Sequence, residues 1–248
     1  MTRLKDKVAI VTGGAGGIGK AICVAMAREG AHVIVNFCKN GKGAEELVNK
    51  IQNNGNTALA MKADLTRVDE VEAMVDSVYQ RLGRIDILVN NAGIIRDMLL
   101  LEMEETDWLS VINVNLGGVY RCTKAVVKYM ILNKSGKIIN ISSIAAERGG
   151  KGHCNYASAK GGINAFNKSM AVELAPKGIS VNAVAPGVIV TDMSKDVRRR
   201  AKDKILSLIP MGRFGTPEEV ANVVVFLASD SASYITGEVI HVTGGMGV

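Results

Sequence analysis

Seven short runs of apolar, largely β-branched residues punctuate the chain: VAIVT at 8–12, HVIVN at 32–36, ALAMK at 58–62, IDILVN at 85–90, KIINI at 137–141, SVNAVA at 180–185 and VIHVT at 239–243. Most are nearly continuous in apolar character and do not alternate with polar residues. A strand apolar on both sides is buried on both sides, which predicts a parallel sheet sandwiched between helices. Longer amphipathic segments lie between the runs, with helix starts near Gly17, Gly43, Val68, Thr106, Tyr156 and Pro217. Thr216 before Pro217, with Glu218 and Glu219 behind it, reads as an N-cap and an acidic first turn. The alternation predicts one doubly wound Rossmann-type α/β domain over 1–248, with about seven mostly parallel strands. Residues 190–215 break the rhythm with a polar helix candidate followed by Pro210 and Gly212. A segment placed after a strand's C-terminal end there is expected to cover a ligand crevice.

Composition narrows the function. The 248 residues suffice for one large core, and aromatics are only 4%, so aliphatic side chains must fill it. Of the 27 glycines, many cluster at 13–19, 149–152 and the C-terminus, as tight turns and close backbone approach to a ligand require. The net charge of +6 suits a phosphate-bearing ligand. The basic residues are scattered apart from Arg198, Arg199 and Arg200, and no aromatic–basic surface for nucleic acid emerges. Cys23, Cys38, Cys122 and Cys154 have no metal-ligand spacing, so reduced thiols and no metal are expected. The polar N-terminus and the lack of a long apolar run predict no signal peptide, no membrane span and a cytoplasmic protein.

Five motifs carry candidate chemistry. TGGAGGIG, Thr12 to Gly19, follows the first strand and opens the first helix, where glycines let a pyrophosphate approach the positive helix end. The ordinary alternative is a Gly-rich turn. YASAK places Tyr156 and Lys160 on one helix face. A phenol with a reference pKa of about 10 is a poor proton donor at neutral pH, and a neighbouring ammonium is expected to lower that value. The pair would then act as acid for carbonyl reduction and as base for the reverse. NISS ends the fifth strand, so Ser143 can bond the oxygen that Tyr156 protonates, while Ser142 reads as a turn residue. NNAG, Asn90 to Gly93, offers a flat backbone for a ribose or ring, or is a plain turn. Asn115 lies within a helix that it does not favour, where it can hold a carbonyl open for water or simply be exposed.

Taken in order, Thr12–Gly19, Asp64, NNAG, Asn115, Ser143, Tyr156-x-x-x-Lys160 and Pro186–Gly187 resemble the short-chain dehydrogenase/reductase family from end to end. Stretches such as DILVNNAGIIRD, NAVAPGVIVTDM and IPMGRFGTPEEVANVVVFLAS are similar to that family's reductases of carrier-bound 3-oxoacyl thioesters. The resemblance implies a catalytic set of Asn115, Ser143, Tyr156 and Lys160, in which Asn115 anchors a water relay and Lys160 also binds the nicotinamide ribose. It implies a pyrophosphate cradle of Gly13, Gly14, Ala15, Gly16, Gly17, Ile18 and Gly19. Asp64 and Leu65 would flank the adenine, and Asn91, Ala92 and Gly93 the ribose. Pro186, Gly187, Ile189 and Thr191 would hold the nicotinamide. It further implies a homotetramer with the C-terminal segment at an interface.

At the end of the second strand Asn36 stands where an NAD enzyme carries an acid, and Lys39 follows, so NADP(H) is favoured and NAD(H) is the alternative. The reductases often carry arginine where Gly16 sits, and the stretch AAERGGKGHC after Ser143 is more charged than expected. Lys134 and Lys177 match positions expected to ring the crevice mouth for an acidic carrier, with Arg198–Arg200 as possible additions. The alternatives are action on a CoA thioester or on a small or cyclic alcohol, and a dinucleotide-binding protein without catalysis.

Overall fold

The computed structural model describes residues 2–247. Seven parallel strands form one sheet in the order β3-β2-β1-β4-β5-β6-β7. They are β1 (Val8–Val11), β2 (His32–Phe37), β3 (Ala58–Lys62), β4 (Ile87–Asn90), β5 (Gly136–Ile141), β6 (Ile179–Pro186) and β7 (Val239–Val242). The order explains the unbroken apolar runs. In β1, Ala9 and Val11 join the core on one face, and Val8 and Ile10 join the core on the other. Helices α1 (Gly17–Arg28), α2 (Gly41–Asn53) and α10 (Pro217–Ala228) cover the first face, burying Met26, Leu47 and Val224. Helices α3 (Val68–Leu82), α5 (Gly118–Leu132) and α7 (Cys154–Leu174) cover the second, burying Val75, Val126 and Leu174. The chain is thus a three-layer Rossmann-type α/β domain. The strand order reverses between β1 and β4, which opens a crevice beyond their C-terminal ends.

Each predicted strand is present, and the helix starts fall within two residues of expectation. Thr216 caps α10 through a complete capping box with Glu219. Three features depart from the sequence reading. Helix α4 (Glu105–Ile112) runs into α5 through a π-helical turn, Asn113–Gly117. A short helix, α6 (Ala145–Arg148), follows β5. The covering segment holds two short helices, α8 (Lys195–Arg200) and α9 (Lys202–Leu206), and a bridge from Ile189 to Gly215 closes its base. Among the described residues no helix is long and apolar enough to cross a membrane, and none of the acid, histidine and cysteine side chains cluster as a metal site.

Candidate active site

The end of β1 and the end of β4 are built as one unit. The Thr12 hydroxyl accepts hydrogen bonds from the Asn91 and Ala92 amides at 2.9 and 3.1 Å. The Asn91 side chain donates to the Thr12 and Gly13 carbonyls at 2.9 and 3.2 Å. Gly13 sits at φ +61°, and a Cβ there would come within 2.9 Å of the Ala92 Cα. A Cβ on Gly19 would lie 2.4 Å from the Gly13 carbonyl oxygen. These two glycines are therefore demanded by the protein's own packing, and not only by an approaching ligand. Gly16 differs, because a side chain there would meet open space. It is the N-cap of α1, with no side-chain cap and no acid in the first turn. The leading amides of α1 therefore stay free for an anion, which fits the pyrophosphate of a dinucleotide. Ala15 and Ile18 pack on the core beneath this loop, and a Cβ on Gly17 would meet the Thr191 methyl of the far wall at 3.4 Å.

Asn36 does not face the crevice. Its side chain is buried under the glycine loop, accepting from the Gly13 amide at 3.3 Å and donating to the Ala63 carbonyl at 3.2 Å. The amide thus ties β2 to the glycine loop. Lys39 is exposed near Asp64, whose carboxylate takes two bonds from Thr66 that hold it below the ordinary carboxylate range. Leu65 is buried against Gly118, and its carbonyl is held by Arg121.

Beyond β5 the catalytic candidates converge. Tyr156 and Lys160 lie one turn apart on α7, with the Lys160 ammonium 5.5 Å from the phenol ring centre. That ammonium is fully buried and donates to the Ile141 carbonyl at 2.7 Å. Ser143 lies two residues further on. Its hydroxyl accepts from the Ala145 amide at 3.1 Å and lies beside the Tyr156 phenol. Ser142 instead bonds the Lys160 carbonyl, a structural role as expected. Burial pushes the Tyr156 phenol up to about 12, while the Ser143 hydroxyl opposes the rise. Burial also pulls Lys160 down to about 8. The protein's own groups therefore hold Tyr156 as a neutral acid. The net shift of the phenol is upward, set first by burial, and the Ser143 hydroxyl is what opposes it.

Asn115 is fully buried in the π-helical turn and pairs with both main-chain groups of Ile94, at 2.8 and 3.0 Å. It anchors the loop after NNAG, so the break in the helix comes from the turn's backbone and not from this side chain. A Cβ on Gly93 would press on the Asn115 amide oxygen at 3.3 Å. Pro186 accepts from the Ile144 amide at 3.0 Å, and Gly187 donates to Val242 at 2.9 Å, which joins β6, β7 and α6 at the crevice.

Sequence reasoning missed Thr12 as a clamp, the Ile141 carbonyl as the seat of Lys160, and Asn155. Asn155 is fully buried and donates to the Arg96 carbonyl at 2.9 Å, fastening the mouth loop to α7. Two histidine–acid pairs also line the mouth: His153 with Asp97 at 2.8 Å, and His241 with Glu147 at 3.0 Å. Lys134 and Lys177 do not line it. They precede β5 and β6, so they stand at the N-terminal edge of the sheet, away from Ser143 and Pro186. Arg198 is spent inside the covering segment, bonded to Ser194 and to the Thr191 carbonyl, and Arg199 pairs with Asp196.

Residues 13–247 match the family described as "Enoyl-(Acyl carrier protein) reductase". A 3-oxoacyl-[acyl-carrier-protein] reductase of Synechocystis sp. is 48% identical, covering 99% of both chains. One from Thermotoga maritima is 47% identical over 98% of this chain and 99% of its own. The crystal structure of a putative gluconate dehydrogenase from Agrobacterium tumefaciens superposes with a TM-score of 0.95 at 33% identity, covering 99% of this chain and 97% of that one. With motif order, strand order and nearly half of all residues held in common with such enzymes, the chain belongs to the short-chain dehydrogenase/reductase family of nicotinamide-dependent oxidoreductases.

Proposed function

We propose that this enzyme reduces a 3-oxoacyl thioester carried on acyl carrier protein to its 3-hydroxyacyl form, with NADPH. The observation that carries the chemistry is the half-buried, neutral Tyr156 phenol beside Ser143, with Lys160 fixed below it. A bound nicotinamide supplies the hydride to the carbonyl carbon. Ser143 and Tyr156 hold the carbonyl oxygen, and the Tyr156 O–H gives it the proton as the alcohol forms. The Lys160 ammonium offsets the phenolate that is left. The glycine loop and the open start of α1 take the pyrophosphate, with Asn91, Ala92 and Gly93 beside the ribose and Thr191 across the cleft. Lys39, together with the lack of an acid at the position of Asn36, supports NADPH over NADH.

The substrate reading draws on relatives at nearly half identity over the whole chain. A small free alcohol or ketone is the second reading, favoured by the position of Lys134 and Lys177 away from the mouth. The four assembled catalytic candidates weigh against a protein that only binds dinucleotide. The half-exposed edge strand β7 and the exposed Val172 and Tyr234 suit the homotetramer of the family, and the free thiols suit the cytoplasm. Turnover should be measured with NADPH and NADH on a carrier-bound 3-oxoacyl substrate, a small thioester mimic and a cyclic ketone. The proposal expects NADPH to be preferred and the carrier-bound substrate to show the lowest KM. Equal KM values for carrier-bound substrate and mimic would move the small-molecule reading ahead.

A further inference from the structure

The charged stretch before Tyr156 has no part in the function so far. His153 is the residue just before α7, three positions ahead of Tyr156. Its Nδ1 lies 2.8 Å from the Asp97 carboxylate, on the loop after β4. One main-chain bond and one side-chain bond hold both partners in place. The Met98 amide donates to the Gly152 carbonyl at 2.9 Å, and Asn155 ties the Arg96 carbonyl to α7 at 2.9 Å. The imidazole also packs on Gly150, where a Cβ would come within 2.6 Å of it.

The Asp97 charge reaches Tyr156 and disfavours its phenolate. The other charges nearby are engaged elsewhere. Arg96 pairs with Asp107 at 3.1 Å, Lys160 on the same helix is bound to Ile141, and Glu147 of α6 is paired with His241 of β7. Asp97 alone raises the His153 pKa above its ordinary value, against a smaller loss from burial.

We propose that His153 is a positioning residue for the proton donor, acting through Asp97. When protonated, it cancels the Asp97 charge beside Tyr156 and makes the phenol a readier acid. When neutral, it leaves that charge uncompensated, and reduction slows. The inference rests on Tyr156 as the donor. Because the folded-state value of His153 is raised, the protonated form and the stability it adds are complete below the ordinary value of about 6.5 and are lost as pH rises through the raised one. The side chains of His153 and Asp97 are 33% and 47% exposed, so solvent screens the field. The expected change in rate is about two- to five-fold, smaller in high salt.

The chain has only three histidines, so proton NMR can follow His153, assigned with His153→Gln. Reduction of the thioester mimic, and of the cyclic ketone if the mimic is refused, would be followed between pH 6 and 9. The parent's kcat should fall through the pKa that NMR reports for His153. Asp97→Asn should stay at the fast plateau and His153→Gln at the slow one, both without the inflection at the His153 pKa, while any step set by Lys160 near 8 stays common to all forms. The double variant should behave as Asp97→Asn, an ordering that a purely structural role does not give. Absence of an inflection in the parent, its persistence in His153→Gln, or a double variant resembling His153→Gln would overturn the inference. Tyr156→Phe separates this from the reading beneath it. A variant that still turns over sinks the donor assignment, whereas an inactive one beside a flat parent profile sinks only the role of His153.

Discussion

The two walls of the crevice are made by different means. On the side of β1, β2 and β4, shape is set by backbone and by neutral side chains: Gly13 and Gly19, the Thr12 hydroxyl, and the buried amides of Asn36 and Asn91. None of these groups titrates. The wall of α6, α7 and the mouth loop is held instead by Lys160 on a carbonyl and by the pairs His153–Asp97 and His241–Glu147. A dinucleotide is the same molecule in every turnover, so a rigid neutral cradle serves it. Proton transfer needs groups that can change charge, and burial sets how easily they do so. The contrast predicts that changes on the first wall act through stability and cofactor affinity, and changes on the second through rate and pH.

Tyr156→Phe should show the largest effect. Losing the proton donor should cost on the order of 10²–10⁴-fold in kcat while cofactor affinity stays unchanged. A steady-state assay beside cofactor titration by fluorescence checks both, and a variant keeping half the parental rate would end the assignment.

Lys160→Met sets chemistry against stability. Burial pulls Lys160 from its ordinary 10.5 to about 8, so its charged form costs about 3 kcal/mol of stability at neutral pH. The folded chain binds fewer protons than the unfolded one between those values, so stability rises with pH across that window. Methionine removes this cost but leaves the Ile141 carbonyl without its donor, worth about 1–3 kcal/mol. The variant should be inactive yet at least as stable as the parent at pH 7, and should lose the parent's gain between pH 8 and 10. Urea melts at pH 7 and 9.5 test this, and a less stable variant with the parental slope would contradict it.

On the first wall, Gly19→Ala should drive a methyl into the Gly13 carbonyl and lower stability by about 1–3 kcal/mol, with cofactor affinity falling alongside. Thermal melts with and without NADPH separate the two losses. Melts matching the parent would mean that the loop has room to spare.

Gly16→Arg should be the mildest change. The position opens on free space, so stability should hold, while a guanidinium beside a 2′-phosphate should raise the preference for NADPH over NADH by about tenfold in kcat/KM. An unchanged ratio would place the 2′-phosphate elsewhere.

The order of elements, the glycine loop, and Ser143, Tyr156 and Lys160 were all legible in the sequence. Each depends on local rules: apolar runs for strands buried on both faces, glycine where backbone must turn, and four-residue spacing that puts two side chains on one helix face. What those side chains touch was not legible. Asn36 marks in sequence only the absence of an acid at the end of β2; that it braces the glycine loop is decided by the loop packed over it. Asn115 lies in a π-helical turn that no periodicity announces, bound to Ile94 twenty-one residues away. Lys134 and Lys177 match positions expected at the mouth, yet both precede their strands, and in a parallel sheet that puts them at the opposite edge from the residues that follow. The sign of the Tyr156 shift also belongs to the tertiary structure. Sequence gives the ammonium four residues on, but the desolvation that raises the phenol arises only when α7 packs against β6. Residue type and spacing determined which groups the chain brings to the crevice. Long-range packing alone decided their partners, solvation and charge, because these depend on atoms distant in sequence.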